Sequence, residues 1–200
     1  LRHRYHPAEL DYAQIPVVGC GRSHTAFSRT LSMLLPLLTS LIAMAIPAKS
    51  GPCPAGVVNQ LDGLYRWQVQ RMEKRIDPVK DLSSQRQRFT PSLFELLIEA
   101  RALTPVRDGR YLDFDVFSNT QSETLGAQVK SCSAGKNNSL KAEVEVEVGL
   151  RGRSSGIPRR LQYEMNRDSK GSWRINDITY GDEQGFKLRP FLKELLNPSS

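Results

Sequence analysis

Two hundred residues, 39% of them apolar and 24% charged, make a globular composition and suit one domain with some chain left over. A formal charge of +7 invites an anionic partner, but the basic residues do not cluster as a nucleic-acid footprint would, so nucleic acid is not an expected partner. All three histidines (His3, His6 and His24) fall before residue 30, which leaves the remainder without histidine general bases, Ser-His or Cys-His nucleophiles, or the usual zinc sites.

In chain order, Leu1 to Ser28 has no periodicity and no clean helix start, and it is expected to lie outside the fold, a start codon set too far upstream being the simplest source. From Leu31 to Ala48 the chain reads LSMLLPLLTSLIAMAIPA without a charge, with Arg29 before it and a polar, Pro-rich stretch from Lys49 to Pro54 after it. A basic flank, an apolar core and small residues form a secretory signal, with Ala43-Met44-Ala45 as the cleavage site and Ala48 as a second. The alternative is an uncleaved membrane anchor, for which eighteen residues interrupted by Pro36, Thr39 and Ser40 are marginal against the ~20 that span a bilayer. Val17-Val18-Gly19-Cys20 is similar to an acylation box but precedes the apolar run, so no lipid anchor is expected. The chain thus divides into an upstream segment and signal peptide (1–48, apolar region 31–48) and one domain (49–200), exported to the periplasm or cell exterior. Leu1 to Ala48 holds four basic and two acidic residues, so the exported part carries +5. Its two cysteines, Cys53 and Cys132, read either as a disulfide tying the start of the first helix to the sheet or as two free thiols.

Val57 to Arg75 reads as a helix with Val58, Leu61, Tyr65, Val69 and Met72 on one face and Arg71 elsewhere; Pro78 ends that region. A second helix starts at Phe89-Thr90-Pro91, with Thr90 placed to cap, Pro91 at the first helical position and Phe89 packing on Phe94. Gly126 to Ala134 is a weak strand. Leu140 to Leu150 alternates strictly and is a half-buried strand, and Leu161, Tyr163 and Met165 alternate in the next. Asp168 to Gly171 turns the chain into Trp173, Ile175, Ile178 and Tyr180, with an irregularity at Asn176-Asp177; Leu188 to Leu196 closes as a short amphipathic helix. N-terminal helices on an antiparallel sheet of three to four long strands, with a C-terminal helix, make an α+β domain. If the sheet curls around the helices it forms a cone whose open end is a pocket.

The stretches GLYRWQVQRMEKR, FTPSLFELLIEA, DFDVFSNTQ and GSWRINDITYGD, spread over roughly residues 57 to 182, carry a resemblance. In order of elements and motifs the chain resembles the nuclear transport factor 2-like cone superfamily, and within it a bacterial family of exported domains of unknown function. The resemblance implies a cone-shaped α+β fold. Relatives in that superfamily range from isomerases and dehydratases to transport factors and assembly domains, so it implies no single activity.

YLDFDVFSNTQ, residues 111–121, is the stretch most suggestive of chemistry. In one reading Asp115 is a carboxylate in a wall of Phe114, Phe117 and Tyr65 at the cone's mouth, raised in pKa by burial and acting as a base. Tyr65 then donates a hydrogen bond, as a tyrosine does in the ketosteroid isomerases of that superfamily, a case long used to illustrate an oxyanion hole, and Asn119 and Gln121 orient a ligand. In the other reading Tyr111, Phe114 and Phe117 fill the core, Asp113 faces water, and Asp115 caps the turn at Ser118-Asn119 through backbone N–H groups.

Elsewhere, Glu143, Glu145 and Glu147 read as the wet face of a strand, neutralised by Arg151, Arg153, Arg159 and Arg160 across the hairpin. Trp67 and Trp173 read as core or interface aromatics. Ser154-Ser155-Gly156 is hairpin-loop composition, and no Gly-rich phosphate loop exists, so no cofactor or metal is expected. The primary expectation is an exported binding or accessory domain holding a small ligand at Tyr65, Asp115, Phe117, Asn119 and Gln121, or a protein partner. The alternatives are a histidine-free isomerase or dehydratase using Asp115 and Tyr65, and an interaction or immunity protein, with a homodimer through the sheet.

Overall fold

Ala142, Val144, Val146 and Val148 alternate with Lys141, Glu143, Glu145 and Glu147, which commits that stretch to a strand with one dry face. In the computed structural model it is an interior strand of an antiparallel sheet. The structure describes residues 50–76, 81–181 and 186–198, all within one compact unit, Ala45–Ser200. The apolar segment 31–48, its cleavage sites and Pro78 lie outside the described residues.

The elements are α1 (Ala55–Glu73), a 3-10 helix (Leu82–Arg88), α2 (Pro91–Arg101), the single turn α3 (Pro105–Asp108), β1 (Glu123–Ala134), β2 (Leu140–Leu150), β3 (Arg153–Ser154), β4 (Arg159–Arg167), β5 (Trp173–Tyr180) and α4 (Leu188–Leu196). The order across the sheet is β1-β2-β4-β5, and the two-residue β3 pairs back on β2. The fold is therefore α+β, with five strands rather than three or four. The extra strand arises because Arg151 and Gly152, both at positive φ, reverse the chain at once and lay Arg153 and Ser154 against Leu150 and Gly149. That reversal is so tight that a Cβ on Gly149 would stand 1.9 Å from the carbonyl oxygen of Arg153. Gly149→Ala is expected to cost about 1–3 kcal/mol in urea titration, because the colliding atom is backbone and cannot swing aside.

One face of the sheet is dry: Val144, Val146, Leu161, Tyr163, Met165, Ile175, Ile178 and Tyr180 are buried and join Leu61, Leu64, Leu93, Leu97, Leu188 and Leu192 of the helices in one core. The buried stripe of α1 runs Val57, Leu61, Leu64, Tyr65, Gln68 and Arg71. This corrects the expected face: Val58, Val69 and Met72 are only half-buried, and the stripe ends in two polar residues. Beyond α1 the Arg75 N–H bonds the Met72 carbonyl and the Ile76 N–H bonds the Arg71 carbonyl, with Arg75 at φ 54. These are the paired bonds of a Schellman motif, which satisfies the last helical carbonyls.

Pro91 opens α2 and the Phe89 and Phe94 rings lie 6.4 Å apart, as expected. Thr90 does not cap with its side chain. Its hydroxyl is taken up by Asn176 and Arg189 instead. Asn176 is the extra residue of an irregularity in β5, where the register slips opposite Glu164 and Met165. The Asn176 carbonyl accepts from Arg189 Nε at 3.1 Å and Nη2 at 2.7 Å, so the bulge anchors α4.

Next to it the buried Asp177 carboxylate accepts the N–H of Ile178 and of Arg189. Burial is the largest influence on it and raises its pKa, outweighing those two bonds and Arg189. A raised folded-state pKa contributes stability that is full below the unfolded aspartate range and is lost as pH rises through the folded value. Asp177→Asn keeps an acceptor oxygen and removes the charge. It is expected to melt above the unsubstituted chain at pH 7, with the difference closing as pH falls below the ordinary aspartate range; the comparison is a pair of melting curves at several pH values.

Candidate functional site

Residues 111–121 form a closed loop rather than a strand. The Asp115 N–H bonds the Thr120 carbonyl at 2.9 Å, and the Asp115 carbonyl accepts the N–H groups of Ser118 and Asn119. Asn119 closes the turn at φ 51, a conformation asparagine tolerates. Asp115 Oδ1 accepts the Phe117 N–H at 2.8 Å, the local side-chain bond that aspartate offers in turns. Asp115 thus caps the turn at Ser118-Asn119, with the Phe117 N–H as the donor to its carboxylate.

This loop drives Val116, Phe117 and Ser118 into the core, where all three are fully buried. Burying a turn exposes its carbonyls to a dry interior, where each needs a donor. Tyrosines supply them. Tyr180 Oη donates to the Val116 carbonyl at 2.9 Å and Tyr65 Oη to the Phe117 carbonyl at 2.8 Å. Because the Tyr65 proton is committed there, Tyr163 donates to the Tyr65 oxygen at 2.7 Å. Burial first, then neighbours including Asp115, pushes the ionisation of Tyr65 and Tyr180 well above the phenol range; burial likewise raises that of Tyr163. The Phe117 ring stacks on Phe89 at 5.9 Å and meets Trp67 edge-on at 6.1 Å.

The second carboxylate oxygen of Asp115 accepts from Gln68 Nε2 at 2.5 Å and from Arg71 Nη2 at 3.1 Å, and that same Nη2 reaches Gln68 Oε1 at 2.9 Å. Side-chain exposure is 7% for Arg71 and 11% for Asp115, so this is a nearly buried ion pair. Arg71 also lies 5.4 Å from the centre of the Trp67 ring, and the Trp67 indole donates to Asp81. Gln68 and Arg71 were missed from sequence. The available signal was their position, four and seven residues after Leu64 on the apolar stripe.

The five candidate residues thus have separate fates. Tyr65, 4% exposed, and Phe117 belong to the core. Asp115 is engaged by Phe117, Gln68 and Arg71, and Tyr65 is engaged by Phe117 and Tyr163, so the polar atoms of both candidates are taken up within the fold. Asn119 shapes the turn. Gln121 is exposed and, with Asp115, Arg71 and Arg101, lines a shallow cleft of about 410 Å³. Of the expected core aromatics, Phe114 packs on Tyr180 and Phe191, but Tyr111 is 49% exposed. On the outer sheet face Gln162 bonds Glu143, and Lys130 and Arg160 face Glu145, so Arg160 of the expected arginines meets the glutamate row together with a lysine and a glutamine. Among the described residues no group of three or more His, Cys, Asp or Glu side chains is placed to hold a metal, and no helix is long and apolar enough to cross a membrane.

A larger concavity, about 710 Å³, runs between α1 and β1. Its walls include Tyr65, Arg66, Val69 and Gln70 of the helix and Gly126 and Ala127 of the strand. The volume falls in the range of small-ligand sites, and the lining mixes apolar and polar groups. Disulfide-bonded Cys53 and Cys132, with Cα atoms 4.8 Å apart, hold the entry of α1 against β1. The Gly51 and Cys132 backbones bond each other in both directions at 2.8 Å. No protein-family model matches the chain, and no curated protein or solved structure is significantly similar to it.

Proposed function

We propose that this chain is an exported binding or accessory domain of the cone-shaped superfamily it resembles, and that it binds at the groove between α1 and β1. The observation that carries this reading is the groove itself: an open concavity of about 710 Å³ beside Tyr65, while the groups suited to acid–base work are engaged in holding the 111–121 loop. The disulfide supports export, since such bridges persist in oxidising compartments. The resemblance rests on the order of elements and the quoted motifs. The groove is preferred to the 111–121 loop as the binding place because Phe117 is fully buried and Tyr65 only 4% exposed.

A photo-crosslinking residue placed in turn at Val69 and at Gln121, in an exporting host, tests the location whatever the ligand is. An adduct at position 69 and none at 121 is the expected mass spectrum. Adducts at 121 alone would return the site to the mouth of the cone, and adducts at neither would overturn the binding reading.

A further inference from the structure

β1 is an edge strand, bonded to β2 on one side only. In an antiparallel ladder, alternate residues exchange both backbone bonds with the partner strand while the intervening ones turn N–H and C=O away from it. Two residues of β1 identify the outward set. The Thr124 N–H contacts Met72 Sδ at 3.1 Å, and Cys132 bonds Gly51 in both directions. They stand opposite Val148 and Ala142 of β2; Ala127 and Val129 stand opposite Val146 and Val144, in the same alternation. The register shifts near Leu125 and Lys130 preserve this set. Ala127 and Val129 therefore turn two N–H and two C=O groups outward, and among the described residues nothing bonds them there.

Concavities flank this open stretch on both faces. The α1–β1 groove, with Val69 and Tyr65, lies on the helix side. On the other side a hollow of about 420 Å³ is formed by Gly126, Glu145 and Glu147 with Ser154, Gly156 and Pro158 of the hairpin. Glu145 faces Lys130 and Arg160, whereas Glu147 is exposed and has no ion pair among the described residues. Side chains of an added strand alternate between the two faces, so its residues would enter the groove and the acidic hollow in turn.

We propose that the free edge of β1 at Ala127 and Val129 takes an extended segment of a partner polypeptide as an added strand, with an apolar side chain in the α1–β1 groove and a lysine or arginine next to it facing Glu147. This rests on the proposed groove site and names its occupant. The disulfide end and the Met72 contact limit the open edge to a few residues, which fits a short linear segment better than a long strand from a second copy.

The test is selection of displayed linear nonapeptides on the chain purified from an exporting host, followed by N-methylation of each backbone amide of a selected peptide. Peptides alternating apolar and basic residues are expected, with at least tenfold weaker binding on methylation at alternate positions and little change at the others. Glu147→Lys should remove the basic preference. Ala127→Pro should weaken binding as strongly, because proline deletes an outward N–H that β2 does not use; the methylated peptides give the same information without altering the protein. Failure to enrich alternating peptides, binding indifferent to methylation, or a stable dimer with Ala127 and Val129 amides protected would each overturn the proposal. A crosslink at position 69 alongside any of these would leave the groove as a binding site with a different occupant.

Discussion

Arg71→Leu is expected to destabilise the domain by about 3–5 kcal/mol, the cost of breaking a buried ion pair from one side. The substitution preserves aliphatic bulk against Trp67 but leaves the Asp115 carboxylate, 11% exposed, without its counter-charge. Gln68 and the Phe117 N–H still bond that carboxylate, yet neither carries a formal charge. Asp115→Asn is expected to cost more than the ~1 kcal/mol of a lost cap, since Arg71 then becomes the buried charge without a partner. Replacing both with leucine should recover part of the loss, because two matched apolar groups strand no charge. Urea titrations of the four proteins give the coupling between the residues. A neutral Arg71→Leu would contradict the pairing. An Asp115→Asn protein of unchanged stability that has lost binding would restore Asp115 as a ligand group.

Reducing the Cys53–Cys132 bridge should lower the melting temperature by roughly 10 °C. The cysteines are 79 residues apart, and closing a loop of that length restrains the unfolded chain by about 4 kcal/mol in the chain-entropy account, with each kcal/mol worth about 2–4 °C for a chain of this size. Cys53→Ala with Cys132→Ala should reproduce the shift without reductant. The loss should be largest in hydrogen exchange at Gly51 and Cys132, whose mutual backbone bonds close the same junction. A melting curve indifferent to reductant would contradict the bridge.

Much of this fold was legible because the physics that sets it is local. Strict alternation places β2 and the inward Leu161, Tyr163 and Met165, and the amphipathic stretch Leu188 to Leu196 is the helix that forms. The Asp168 to Gly171 turn follows from an aspartate whose Oδ1 accepts the N–H of Lys170 and of Ser172, with Gly171 at φ 79. The face of α1 is not legible from hydrophobicity alone, which assigns Val69 and Met72 inward and Arg71 outward. Its true face ends in Gln68 and Arg71, whose burial is tolerable only because Asp115, 44 residues beyond Arg71, completes the cluster. No local window contains that partner. The same distance explains why 111–121 was ambiguous: the spacing of Asp113 and Asp115 is equally compatible with a pocket wall and a capped turn. The deciding contacts come from Tyr65 and Tyr180, at separations of 52 and 64 residues. The short β3 escaped because two residues give no period to detect.

Native-state hydrogen exchange at the Phe117 amide tests most directly whether the 111–121 loop is a fixed part of the core. That N–H is bonded to Asp115 Oδ1 within the fully buried turn. If the loop is clasped by Arg71, Gln68 and the tyrosines, its exchange free energy should match that of the interior strands β2 and β4 and equal the free energy of global unfolding. Exchange orders of magnitude faster than β2 and β4, through local opening of the loop alone, would contradict the account and mark the loop as a movable wall over a site at Tyr65 and Asp115.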